Sequence, residues 1–194
     1  TLWDCPDTTL ITNISVAPSD PDVIMFNNSE HLWRSEDGGS TWTNLNAGLP
    51  MASGAITNIE IHASNPNVIW LSIGGWNDDY MVLKSIDGGL TWFDFSDGLP
   101  SCPWPDLIQN DINLNYDELY AVGYFGVYAK LGDNPWFLFS NGLPHVESYD
   151  IDIRYQGLNS KIRTGTHGRG VWESNLFSID NSMAYVWTGT YSSD

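Results

Sequence analysis

One eight-residue phrase, used twice and fifty residues apart, constrains this chain more than any other feature. Ser35-Glu36-Asp37-Gly38-Gly39-Ser40-Thr41-Trp42 and Ser85-Ile86-Asp87-Gly88-Gly89-Leu90-Thr91-Trp92 share the frame S-x-D-x-G-x-T-W. Five residues after each comes Gly-Leu-Pro, at Gly48-Leu49-Pro50 and Gly98-Leu99-Pro100. A third Gly142-Leu143-Pro144 closes a degenerate copy, in which Asp133 and Trp136 hold the places of the box Asp and Trp. Self-similarity at a period of 40 to 50 residues marks a supersecondary unit that buries its apolar face by stacking on its neighbours.

Each unit reads as four short strands. A period-2 pair opens it: Ile14/Val16, Ile59/Ile61, Ile112/Leu114 and Ile151/Ile153. A second apolar run follows at 23–26, 68–73, 119–122 and 161–165, and a third at 32–34, 82–84, 127–129 and 171–173. After the box comes a fourth, at 42–45, 92–95 and 136–139, whereas the last unit loses the pattern at Leu176, which stands in the place of the box Asp. No sustained 3.6-residue period with capping signals occurs, so essentially no helix is expected. The expected fold is all-β, a β-propeller segment of about four four-stranded antiparallel blades belonging to a larger ring. Its boundaries are a lead-in or remnant of a preceding blade at 1–10, blades at 11–50, 51–100 and 101–144, an incomplete blade at 145–176, and a tail or closing strand at 177–194.

The box has a physical reading. A carboxylate at Asp37 or Asp87 accepts hydrogen bonds from its own turn, and the glycines supply positive φ. Trp42 and Trp92 then open the fourth strand with a large buried ring. Ser35, Asp37, Gly39, Thr41 and Trp42, their counterparts Ser85, Asp87, Gly89, Thr91 and Trp92, and the degenerate Asp133 and Trp136 are thus structural residues. Such a turn offers too few oxygens for the six to eight ligands of calcium.

These boxes, together with Gly165-Thr166-His167-Gly168-Arg169-Gly170-Val171-Trp172, resemble the Asp-box (BNR) propeller family over roughly residues 11 to 176. The phrase around Arg169 looks most like the corresponding turn of xyloglucanase-like propellers and of secreted bacterial surface proteins. The resemblance implies the fold and is nearly silent on activity, since the family spans glycoside hydrolases, receptors and assembly factors.

Composition narrows the partners. Seven basic against 24 acidic residues leave a formal charge of −17, which repels nucleic acid and anionic membranes. No apolar stretch approaches the length of a membrane helix, so no membrane insertion is expected. Four His, none at metal-ligand spacing with another His or Cys, predict no metal site, and no phosphate-loop or dinucleotide fingerprint calls for a cofactor. A sialidase would need an arginine cluster, and only Arg34, Arg154, Arg163 and Arg169 exist. Cys5 and Cys102 precede the opening pairs of their units by nine and ten residues; whether they form a disulfide stays open.

Binding residues are expected on turns at the blade rim. The long turn after Ile73 offers Trp76 and Tyr80 for stacking on a sugar, with Asp78 or Asp79 for its hydroxyls; Tyr124, His167 and Arg169 occupy the corresponding turns of later units. No catalytic residue is assigned. The sequence is therefore read as a non-catalytic module of a secreted or cell-surface bacterial protein, binding carbohydrate or protein, joined to the remainder of its propeller, or serving as a scaffold. The alternative is a glycoside hydrolase acting on a β-glucan-type polysaccharide through two acidic residues.

Overall fold

The structure, a computed structural model, describes residues 10–28, 31–50, 54–76, 80–112, 116–177 and 185–190. The chain divides into two compact units, Thr1–Phe95 and Ser96–Asp194. In the first, β1 (Ile11–Val16), β2 (Ile24–Asn28), β3 (Leu32–Ser35) and β4 (Thr43–Asn44) form one antiparallel sheet in chain order. A second sheet follows from β5 (Ile56–Ile61), β6 (Ile69–Ile73), β7 (Val82–Ser85) and β8 (Phe93–Asp94). The second unit repeats the plan with β9 (Asp106–Gln109), β10 (Glu118–Gly123), β11 (Gly126–Leu131) and β12 (Phe137–Leu138), then β13 (Ser148–Arg154), β14 (Lys161–Thr166), β15 (Gly170–Asn175) and β16 (Thr188–Thr190). No α-helix occurs among the described residues; a 3-10 turn spans Asn46–Gly48.

Pairing register decides which side chains meet, because directly opposed residues share a face of the sheet. Ile59 and Ile61 oppose Leu71 and Ile69, and Leu71 opposes Leu83. That face packs on Met25, Leu32 and Leu45 of the preceding sheet to make the core of the first unit. The second unit does the same, with Ile151, Ile153 and Ile162 against Tyr120, Val122, Val127 and Ala129. The counterparts on the first sheet, Ile14 and Val16, are 67% and 48% exposed, against 5% and 2% for Ile59 and Ile61.

The two box hairpins are built alike. Ser35 Oγ donates to Asp37 Oδ1 at 2.9 Å, Thr41 N donates to the same oxygen at 2.8 Å, and Thr41 Oγ1 donates to Oδ2 at 2.7 Å. Asp87 receives the same three bonds, from Ser85 Oγ at 2.8 Å, Thr91 N at 2.9 Å and Thr91 Oγ1 at 2.6 Å. The Thr hydroxyl and the Thr backbone N–H hold both carboxyls below the usual carboxylate range. Gly39 and Gly89, at φ 88° and 93°, carry the left-handed turn. The degenerate hairpin is held differently: Lys130 Nζ donates to Asn134 O at 2.6 Å and Asn134 Nδ2 to Leu131 O at 2.9 Å, while Asp133 is exposed.

The Gly-Leu-Pro repeat acquires a reason that its sequence does not state. A Cβ on Gly48 would lie 2.3 Å from Leu90 O, one on Gly98 2.3 Å from Trp136 O, and one on Gly142 2.9 Å from Trp187 O. Each glycine therefore lets its Gly-Leu-Pro connection pass against the backbone that enters an outer strand of the same unit. Trp136 N donates to Asp97 O and Trp187 N to Asn141 O, both at 2.8 Å, sealing that approach.

Several expectations are corrected. The third sheet opens at Asp106–Gln109 rather than at Ile112/Leu114; Ile112 is exposed in the following turn and Leu114 lies outside the described residues. The paired prolines Pro103 and Pro105 hid that start, since proline cannot donate to a ladder and reads as a turn. The fourth sheet, which loses its sequence pattern at Leu176, is completed by β16, lying in the stretch expected as a tail or closing strand; it pairs with β15, and Trp187 precedes it as Trp42 precedes β4. Trp42 and Trp92 are half-buried rather than buried, since β4 and β8 are outermost strands with no strand beyond them. Trp42 still packs edge-on against Phe26 at 4.7 Å and donates from Nε1 to Gly39 O at 3.0 Å. Among the described residues, Trp70, Trp104 and Trp187 are the fully buried indoles.

Candidate functional site

The sequence candidates separate by unit. In the first, Trp76 is exposed and Tyr80, half-buried, packs against the core. Asp78 and Asp79 lie outside the described residues, as does Cys5 and with it any pairing to Cys102.

In the second unit, three connections and one irregular strand converge. The two-residue turn between β10 and β11 presents Tyr124 and Phe125, their rings 5.4 Å apart and nearly perpendicular. Phe125 meets His145, on the segment leading into β13, at 6.1 Å. The turn between β14 and β15 presents His167, Gly168 and Arg169, and is tied to the same segment by His167 N donating to Glu147 O at 2.8 Å.

The irregularity is a β-bulge. Ser148 pairs with Thr166 and Asp150 with Gly165, so Tyr149 is the extra residue. Bulges re-aim a side chain, and Tyr149 stands 48% exposed with its ring 5.9 Å from that of His167. The Glu147 carboxylate beside its phenol pushes the phenol's pKa up. Tyr124 is 46% exposed. Beneath them Cys102 is buried, and burial pushes its thiol up although the backbone N–H groups of Tyr124 and Phe125 face the sulfur.

The bulge recurs at Thr12 in β1 and at Thr57 in β5. Those hydroxyls are used internally: Asn27 Nδ2 donates to Thr12 Oγ1 at 2.8 Å, and Thr57 Oγ1 lies 3.0 Å from Ser72 Oγ. The site residues Tyr149, Glu147 and His145 were missed by sequence reasoning, yet a signal existed. Ile11-Thr12-Asn13-Ile14 and Ile56-Thr57-Asn58-Ile59 are identical, and Ser148-Tyr149-Asp150-Ile151 aligns with them.

By register, Asp106 and Asp150 stand where the first unit has Asn13 and Asn58; Asp150 follows the bulge in β13, and Asp106 opens β9. Asp106 Oδ1 accepts from Leu107 N at 2.8 Å and Oδ2 from Ile151 N at 3.0 Å, so the carboxyl ties β9 to β13. Burial pushes Asp106 up to about 7 against the two N–H donors, and the neighbouring Asp150 carboxyl adds to the rise.

Other sequence candidates are structural or solvent-facing. Arg34 is buried, donating to Pro66 O at 2.8 Å and Asn67 Oδ1 at 3.2 Å and pairing with Glu36 at 3.1 Å. Arg163 pairs with Glu173 at 3.1 Å. Arg169 is exposed; among the described residues only its carbonyl is engaged, by Trp172 Nε1 at 2.9 Å. No group of three or more His, Cys, Asp or Glu among the described residues is placed to hold a metal ion, and no helix among them is long and apolar enough to cross a membrane.

Antiparallel four-stranded meanders repeated along a chain are the blades of a β-propeller, and that is the fold of this protein. Solved structures agree. An ancestral GH74 enzyme matches 91% of the chain at a TM-score of 0.70 and 12% identity, the chain covering 26% of that enzyme. YCF48 from Cyanidioschyzon merolae matches 98% at a TM-score of 0.61 and 15% identity, 59% of that protein being covered. A structure of YCF48 bound to D1 peptide matches 95% at a TM-score of 0.51 and 15% identity, over 69% of its length. The chain thus spans about a quarter of the GH74 enzyme. No family model and no curated protein matches the sequence.

Proposed function

We propose that this chain is a non-catalytic Asp-box propeller module of a secreted or cell-surface bacterial protein, and that it binds carbohydrate on the rim formed by Tyr124, Tyr149 and His167. The observation that carries the reading is Tyr149: a bulge position used internally by Thr12 and Thr57 here presents an exposed ring whose phenol is oriented by Glu147. Exposed aromatic faces beside oriented polar groups suit a pyranose, whose C–H face stacks while its hydroxyls exchange hydrogen bonds. The uncovered Ile14 and Val16 support association with a further blade, which would bury them as Ile59 and Ile61 are buried.

The hydrolase alternative needs two carboxyls roughly 5 to 5.5 Å apart for retention or 6.5 to 9.5 Å for inversion. Asp106, whose pKa is pushed up to about 7, is already engaged through both carboxyl oxygens, by Leu107 N and Ile151 N. Affinity electrophoresis of the purified chain in soluble β-glucans and other polysaccharides tests the proposal. Retardation lost in Tyr149→Ala and Tyr124→Ala is the expected outcome. Retardation unchanged in both variants, or reducing-sugar release by the wild type, overturns it.

A further inference from the structure

The first unit holds a cavity that the rim of the second unit does not involve. It measures about 230 Å³ and is lined by Arg34, Glu36, Thr43 and Leu45 of the first repeat and by Asp87 and Leu90 of the second box. At about 30 Å³ per water it has room for about eight waters, the space of a single sugar ring. Arg34 is only 5% exposed, and its guanidinium is incompletely used. Nε donates to Glu36 Oε1 at 3.1 Å, one terminal nitrogen to Pro66 O at 2.8 Å and the other to Asn67 Oδ1 at 3.2 Å. A guanidinium carries five N–H donors, so two have no partner among the described residues. Buried donors left unpaired are costly, and a ligand oxygen in the cavity would satisfy them.

Acceptors and hydroxyls stand beside those donors. Glu36 Oε2 and the Thr43 hydroxyl are likewise without a partner among the described residues, while Asp87 adds a carboxylate. Gly88, at φ 75°, keeps the wall beside the guanidinium bare; a Cβ there would lie 3.4 Å from Arg34 Cζ. The equivalent place in the second sheet is built otherwise. Arg34 opposes Thr43 across β3 and β4, whereas Lys84 opposes Phe93 across β7 and β8. Lys84 Nζ lies over the rings of Phe95 and Trp70, at 4.9 Å and 5.5 Å. The pairing of a buried guanidinium with a free hydroxyl is thus particular to the first sheet and not a requirement of the repeat.

We propose that this cavity is a second binding site, for one neutral sugar ring, with Arg34 donating to ring or hydroxyl oxygens and Glu36, Asp87 and Thr43 receiving its hydroxyl protons. Charge selects against ions. Glu36 and Asp87 offset the guanidinium, and a chain of formal charge −17 repels an anion. An ammonium in the cavity would in turn meet the guanidinium. A sugar hydroxyl both donates and accepts, so it satisfies both kinds of wall. Leu45 and Leu90 give the C–H face of the ring an aliphatic surface. The site stands independently of the rim reading.

The test titrates the whole chain with the methyl glycosides of glucose, galactose, mannose and xylose, following the Arg34 Nε–H and the Gly88 amide by NMR. At least one glycoside is expected to give saturable shifts of both signals. Thr43→Val, which removes the hydroxyl and keeps the shape, should weaken that response several-fold. Leu90→Trp, at an exposed position bordering the cavity, should abolish it and serves if the first variant fails to fold. In a Tyr124→Ala, Tyr149→Ala background the response should persist. No saturable shift with any glycoside, or shifts undiminished in both cavity variants, overturns the site. So does a response lost with the two rim tyrosines, which would place the sugar elsewhere. Saturation by acetate or methylammonium in place of the glycosides overturns the ligand class. Failure here leaves the rim reading standing, because polysaccharide retardation in the tyrosine variants decides that separately.

Discussion

The inner strands of the two units align position for position, yet they carry different chemistry. Where the first unit places Thr12-Asn13 and Thr57-Asn58, the second places Tyr149-Asp150 in its last sheet and Asp106 in the sheet before. Neutral amides and short hydroxyls close the first unit's bulges on themselves. Carboxyls and a phenol leave the second unit with one raised carboxyl, Asp106, and an exposed ring. One backbone device, the bulge, therefore serves as an internal tie in one half and as a display position in the other, and the side chain alone decides which.

The comparison breaks most visibly at the indoles that open the outer strands. Trp187 is fully buried and donates to Phe139 O, whereas Trp42 is half-buried. Trp187→Ala is expected to cost about 3 to 5 kcal/mol, and Trp42→Ala clearly less, as read from urea unfolding. Equal losses would mean that the fourth sheet is no more dependent on its indole than the first.

Next comes the pH dependence of the second unit. Asp106 has a folded pKa above its unfolded value, so the folded state binds the proton more tightly. Its contribution is fully present below about pH 4 and is lost as pH rises through about 7, an effect on the order of a few kcal/mol. Asp106→Asn, which copies the first unit's chemistry, should flatten the unfolding free energy between pH 5 and 8. A slope that survives the substitution would assign the titration to another group.

A smaller contrast lies in the box serines. Ser85 Oγ accepts from Gly89 N at 2.8 Å and donates to Asp87, so Ser85→Ala is expected to cost about 1 to 2 kcal/mol. At the corresponding place in the last sheet, Ser174 Oγ is buried with no partner among the described residues, because Leu176 has replaced the box Asp. Ser174→Ala should therefore be neutral within about 0.5 kcal/mol, or slightly stabilising. Thermal unfolding of the two variants side by side checks this.

The smallest expected effect on stability is the sharpest on function. Tyr149→Thr gives the second unit the bulge residue of the first, at an exposed position where surface substitutions stay within about 0.5 kcal/mol. Loss of one stacked ring, worth about 1 kcal/mol, should weaken polysaccharide retardation several-fold. Unchanged retardation would return the rim to a solvated turn.

How much of this was legible in the chain follows from the range of each interaction. Box hairpins were readable because every bond to Asp37 and Asp87 comes from within four residues. The strand runs were readable because alternation is local, except where Pro103 and Pro105 masked the start of β9 and where thirteen positions separate Ser174 from Trp187, against seven between Ser35 and Trp42. Of the rim, Tyr124, His167 and Arg169 were found because turns announce themselves; Tyr149 was not, because a bulge is a property of pairing between two strands.

By itself the sequence determined the repeat, the all-β class and the carboxylate-pinned turns, each a consequence of residues that neighbour one another along the chain. Tertiary structure alone decided that Gly48, Gly98 and Gly142 admit a second backbone, that Thr188–Thr190 completes the last sheet, and that the Asp106 carboxyl accepts from Ile151 N. These depend on which sheet lies on which. Close packing and a hydrogen bond between residues forty-five positions apart are set by approach in space, which no local pattern encodes.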